Sequence, residues 1–367
     1  MDEATLLESG LLHLEPNSGT NNNSPQQQTG QQVFSASKTM QDVINIARYT
    51  LFSGSWSDML RHPVQSLYLG CFPMAGSTLI NTALTTVNQY FGVGGYKFLY
   101  TLWAFWWLDC LISFLCCFGV VYVMTVHHRH SMSTLTAIWL LPVVTVIVSS
   151  TTGQLLTPAL AVYSIPHAHL TMGVALLMVI IGLSLSLMIL TLYLRRLIIE
   201  GLPDVGAIIS CFIPIGPCGQ GGYSLLLAGQ NFSTLLPNGH GYVLGDPLAG
   251  RAINFICFVG AWILWCMAVW WLGCAICAIF HNLMKGERMP FTLAFWGLVF
   301  PNGVNALLTI QLGNAMDSTL FHVLGSIHGA AVVLMWLLLV LPTVIHVWDR
   351  RIFVTPLATS PSLPLKA

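Results

Sequence analysis

Between residues 66 and 347 the chain is a succession of apolar runs, and every second run carries a proline behind a large apolar residue. The pairs are Phe72-Pro73, Leu141-Pro142, Ile213-Pro214 and Phe300-Pro301, with the prolines 69, 72 and 87 residues apart. Proline removes a backbone amide, so inside a bilayer the stranded carbonyl must be satisfied by protein or by a water-lined path. The runs in between have no proline in their middle. An interrupted helix paired with an intact one, repeated along the chain, is a design of solute-conducting membrane proteins. The pattern predicts an all-α polytopic membrane protein. Its eight transmembrane helices form four parallel helix-pair repeats around a pore, with Pro73, Pro142, Pro214 and Pro301 as the kinks of the pore helices.

Composition agrees. Hydrophobic residues make up 55% of the 367 and charged residues only 7%, with a mean hydropathy of +0.73; soluble domains carry about 25% charged residues. Spans are expected at 66–86, 98–126, 136–157, 169–195, 205–229, 253–281, 290–312 and 318–347. Eleven of the 13 Lys and Arg fall on the termini and alternate loops, while Lys97 and Arg251 alone fall on the other side. The positive-inside rule reads this as both termini in the cytosol. The balanced net charge gives no sign of a nucleic-acid partner. The polar stretch Asn21–Gln32 marks residues 1–40 as a disordered cytosolic tail. Residues 41–63 read as an interfacial linker, 64–349 as the transmembrane transporter domain and 350–367 as a second cytosolic tail.

Small and polar residues follow each proline, among them Ser149, Thr151, Gly216, Gln220 and Asn305. Such residues either let helices pack closely or line water with neutral hydrogen-bonding groups. Their repetition favours the second role and makes these five the expected pore lining. The spans contain no Lys or Arg at membrane depth, and their only interior acid is Asp109. A cation path would carry acidic rings, whereas the amides at an interrupted helix suit an anion. A small anion is therefore the favoured cargo, with neutral solutes still open on this pattern. Asp109 suits an interhelical hydrogen bond better than a proton relay, and His167, His169, His322 and His328 suit interfacial anchors. Cys274-x-x-Cys277 lacks the partners of a closed metal site, so neither a metal nor another cofactor is expected. No Ser-His-Asp set or paired carboxylates suggest an enzyme. Asn231-Phe232-Ser233 reads as a glycosylation sequon on an outer loop.

Two segments resemble a known family. His62-Pro63-Val64-Gln65-Ser66-Leu67-Tyr68-Leu69-Gly70 with Phe72-Pro73-Met74 is similar to the tellurite-resistance/dicarboxylate transporter family. Ile213-Pro214-Ile215-Gly216-Pro217-Cys218-Gly219-Gln220-Gly221-Gly222 resembles its fungal sulfite efflux pumps. Trp139-Leu140-Leu141-Pro142 and Phe295-Trp296-Gly297-Leu298-Val299-Phe300-Pro301 extend the likeness over roughly residues 41–350. The resemblance implies sulfite or bisulfite export through a central pore in the plasma membrane, with a dicarboxylate such as malate as the alternative cargo. It also implies a homotrimer and a phenylalanine gate, with Phe300 the first choice by motif position and Phe72 the second. Family members have five helix pairs; here the first pair is expected to be missing, which leaves a non-conducting relative that modulates a partner as the alternative function.

Overall fold

The computed structural model describes residues 59–128, 130–236, 246, 248–287 and 291–349. The tail 1–40, most of the linker and the tail 350–367 lie outside the described residues. Those described are helical, with no strand among them.

Among the described residues, eight long helices follow one another. They are α1 (Cys71–Thr82), α2 (Gly95–Val126), α3 (Leu141–Ala161), α4 (Ile165–Glu200), α5 (Ile215–Leu235), α6 (Ala249–Met284), α7 (Val299–Met316) and α8 (Thr319–Trp348). Two stretches wind more loosely as π-helix: Ala83–Tyr90, which continues α1, and Leu115–Val120 within α2. Between α1 and α2 the chain reverses through Gly92 and Gly94, whose positive φ angles of 64° and 90° suit glycine.

All four odd-numbered helices are entered through a short 3₁₀ turn: Gln65–Gly70, Ala137–Leu140, Ile208–Phe212 and Leu293–Leu298. The prolines explain this. Each lies in the first turn of its α-helix or at its cap, so the carbonyl four residues back has no α-helical amide to accept from. That carbonyl turns to the amide three residues on instead. Leu141 N donates to Ile138 O, and Ile213 N donates to Ser210 O at 3.0 Å. The interruption expected at each proline thus takes the form of a change of helix type at the helix entrance.

Packing sorts the helices into two sets. α1 lies against α3, α3 against α5, and α5 against α7, with no comparable contact between α7 and α1. Each even-numbered helix lies against the odd helix before it, and α2, α4 and α6 also touch the odd helix that follows. From Pro142 to Gln154 in α3 and from Ile215 to Gly222 in α5, every residue is buried. By contrast α8 buries only Phe321, Gly325 and Leu339, leaving an apolar surface suited to lipid.

Six stretches are long and apolar enough to cross a membrane: α2, α3 with its 3₁₀ turn, α4, α6, α7 with its turn, and α8. The chain is therefore a multi-pass membrane protein. α1 and α5 do not meet that standard. α1 proper is 12 residues and runs into the polar Ala83–Tyr90 segment, while α5 is rich in Gly, Ser, Asn and Gln. α5 is wrapped by α3, α4, α6 and α7, so its polar atoms meet protein, not lipid.

Candidate functional site

α5 lies between α3 and α7, and the seam it forms with them is buried. Glycine sets its closeness. A Cβ on Gly219 would stand 3.0 Å from the Asn305 backbone nitrogen, and one on Gly222 would stand 2.6 Å from the Leu308 side chain. Backbones this near leave room only for small side chains and local hydrogen bonds.

Across the seam, Gln220 on α5 donates from Nε2 to Thr151 Oγ1 on α3 at 2.8 Å, and Thr151 donates back to Ile147 O at 3.2 Å. One turn further along α5, the Ser224 and Ser150 hydroxyls are 2.7 Å apart, and Ser150 donates to Ala175 O of α4. Near the end of α5, Asn231 Nδ2 donates to both the backbone oxygen and Oε1 of Gln154, at 2.9 Å each. These contacts form a ladder of neutral polar groups between two helices. The burial of Asn231 corrects the sequon reading: its amide nitrogen is enclosed inside a helix pair, where no glycan can be attached to the folded chain.

Of the five expected lining residues, the structure joins Thr151 and Gln220 directly. Asn305 sits on the neighbouring α7, buried, with Oδ1 unpartnered and its carbonyl accepting from Thr309 at 2.7 Å. Gly216 lies beside the Phe300 ring: a Cβ there would be 3.9 Å from Phe300 Cε1. Ser149 faces the other way, toward α2, with its hydroxyl 3.5 Å from Cys110 Sγ and its carbonyl accepting from the Trp106 indole at 2.8 Å. None of the five is open to solvent; this section of the seam is closed.

The two gate candidates differ in setting. Phe300 is half-buried and packs against a buried cluster that includes Ile209, Phe212 and Ile215, as Met74 of α1 also does. Phe72, near the start of α1, is 70% exposed. Next to Phe300, Asn302 donates to Leu298 O at 2.7 Å, and its Oδ1 is 3.1 Å from His328 Nε2 of α8. Sequence reasoning gave His328 only an anchoring role; it lies one turn from Gly325, which lets α8 reach α7, and that spacing was the available signal. Asp109 accepts from the Ser77 hydroxyl at 2.6 Å, tying α2 to α1 as an interhelical hydrogen bond. His167 is 2.9 Å from the Tyr100 hydroxyl, and His169 is 3.2 Å from Leu235 O.

At the basic-rich end of the molecule, His62 Nδ1 accepts from the backbone amides of Val64 and Gln65 at 3.3 and 3.2 Å, capping the turn that leads into α1. Burial, with His128 close by, holds His62 below the ordinary histidine range.

Residues 43–344 match the voltage-dependent anion channel family, SLAC1. The chain belongs to that family. Curated relatives of this voltage-dependent anion channel family member carry two kinds of name. A sulfite efflux pump of Arthroderma otae and one of Trichophyton rubrum are each 31% identical over 310 residues, covering 84% of this chain and 79% of the relative. A malic acid transport protein of Schizosaccharomyces pombe is 19% identical over 295 residues, covering 80% and 64%. No solved structure matches the chain. The family and these relatives are named for anion transport, so the chain is a membrane protein of an anion-transporting family.

Proposed function

We propose that this chain exports sulfite or bisulfite across the plasma membrane, with both termini in the cytosol. In this reading α1, α3, α5 and α7 are parallel walls of a central path, and α2, α4, α6 and α8 are their lipid-facing partners in four helix-pair repeats. The observation that carries it is the neutral polar seam of α3, α5 and α7, which offers hydroxyls and amides and no charged side chain. An anion meets hydrogen-bond donors there without being held by a full charge, so it can leave as readily as it enters. The names of the relatives support sulfite over malate. Because the seam is closed, conduction requires Phe300 to leave its place beside Gly216, and Phe300 stands ahead of the exposed Phe72 as the gate.

A second reading, a non-conducting relative that modulates a partner, draws on the lack of any packing between α7 and α1 comparable to that between the other neighbouring odd helices. Sulfite efflux from sulfite-sensitive yeast separates the two, using the native chain and Phe300→Ala with membrane insertion verified for both. Efflux by the native chain that rises in Phe300→Ala supports transport and the gate. A well-inserted native chain without efflux refutes transport. The homotrimer belongs to the same proposal and is tested by the mass of the detergent-solubilised particle.

A further inference from the structure

Phe300 sits between two residues that are tied to α8. Before it, the Trp296 indole donates to Thr343 Oγ1 at 3.0 Å; after it, Asn302 Oδ1 lies 3.1 Å from His328 Nε2. Both partners belong to α8, which packs on α7 and its lead-in turn and has no comparable contact elsewhere among the described residues. Gly325 brings α8 this near: a Cβ there would stand 2.5 Å from Ile310 Cγ1 and 3.0 Å from the Ile310 nitrogen.

The Asn302 bond runs in one direction only. Its Nδ2 is given to Leu298 O at 2.7 Å, so Oδ1 is the atom left for α8, and His328 Nε2 must donate to it. Asn302 is 2% exposed, so without His328 that oxygen would be enclosed and unpaired.

Two positions along an α-helix are turned by about 200°, so Asn302 and Phe300 leave α7 on opposite sides. Asn302 reaches α8. Phe300 reaches α5, where Gly216 lies beside its ring. A tie on one side of a helix limits how far the other side can roll. If the tie is lost, α7 cannot settle closer to α5, because a Cβ on Gly219 would already stand 3.0 Å from the Asn305 nitrogen. What remains is rolling of α7 as a body, which takes the Phe300 ring off Gly216.

We infer that His328 is a positioning residue for the gate: through Asn302 it holds α7 at the roll that seats Phe300 beside Gly216. The inference rests on the reading of Phe300 as the gate for its purpose, but the seating of the ring can be measured without flux.

Two measurements test it. The first is sulfite efflux from sulfite-sensitive yeast. His328→Ala should raise efflux by roughly 2- to 10-fold, the worth of one hydrogen bond in an equilibrium between two positions of the ring. His328→Gln keeps an N–H donor at similar reach and should return efflux to near the native rate. In a Phe300→Ala background, His328→Ala should add nothing; a merely structural histidine would instead lower efflux in both backgrounds, and that result overturns the inference. The second is fluorine NMR of the purified full-length chain with trifluoromethylphenylalanine in place of Phe300. The signal should move in His328→Ala, move likewise in His328→Phe, which keeps a ring but no donor, and return in His328→Gln. If the alanine variant does not fold, the phenylalanine variant decides. An unmoved signal overturns the inference whatever the flux. A moved signal in a chain without efflux, or with efflux indifferent to Phe300→Ala, leaves the positioning role standing and refutes the transport or the gate reading instead.

Discussion

Gly153→Ala tests how tightly the helices around the seam are held. A Cβ at this position would lie 2.5 Å from Trp106 Cζ2, 3.0 Å from its Cε2 and 2.9 Å from the Ala175 Cβ. Ordinary contact begins near 3.4 Å, so the indole must withdraw by 0.9 Å. It has nowhere to go without loss, because Trp106 is fully buried and its indole nitrogen donates to Ser149 O at 2.8 Å. Overpacking of this kind costs about 1–3 kcal/mol, and weakening a buried hydrogen bond adds roughly 0.5–1.5 kcal/mol. We expect Gly153→Ala to destabilise the chain by about 2–4 kcal/mol. The assay is a double-mutant cycle with Trp106→Phe, read by reversible unfolding in mixed micelles. Phenylalanine lacks the clashing atoms, so in that background Gly153→Ala should cost about 1 kcal/mol, the remainder coming from Ala175. An equal cost in both backgrounds would refute the argument, because it would show that the indole does not limit the approach of α2 to α3.

Three further outcomes are expected. Thr151→Val should destabilise by about 1–3 kcal/mol by stranding the Gln220 amide, while Thr151→Val with Gln220→Leu should recover most of that loss, both read in the same micelle assay. Expression in a glycosylating host should leave the chain with no mass shift on glycosidase treatment, and Asn231→Gln should lower stability instead, because Asn231 serves Gln154. Acidification should loosen the turn before α1. His62 binds a proton less readily when folded than when unfolded, so its contribution to stability is present above the ordinary histidine range and is lost as pH falls through that range. Hydrogen exchange of the Val64 and Gln65 amides should rise from pH 7.5 to 5.5 in the native chain, and in His62→Ala it should already be raised at pH 7.5.

The helical pairing was readable because proline and long apolar runs act through covalent geometry and solvent, both of which are local. The lining was harder to read. Ser149, Ser150, Thr151 and Thr152 are consecutive, and successive helix positions are turned by about 100°, so the four point in four directions. Ser149 meets α2, Ser150 meets α4 and α5, Thr151 meets Gln220, and Thr152 bonds to its own helix at Val148 O. No periodicity separates a path-facing hydroxyl from a packing one when every face is polar. Asn231 misled for a related reason: the triplet is chemically a sequon, but only the partner Gln154, 77 residues away, reveals that its amide is used.

The 3₁₀ turns before the four proline helices have a mechanical consequence. A 3₁₀ turn rises about 2.0 Å per residue and an α-helix about 1.5 Å, with roughly 20° of rotation between them per residue. Converting a lead-in such as Leu293–Leu298 would act as a screw, drawing α7 back by about 3 Å while rotating it through about a third of a turn. Proline blocks that motion, because the carbonyl four residues before it gains no amide by the conversion. Each odd helix is thus locked in length and azimuth by one imino ring, which leaves side-chain rotation, not helix winding, as the inexpensive way to move anything at the seam.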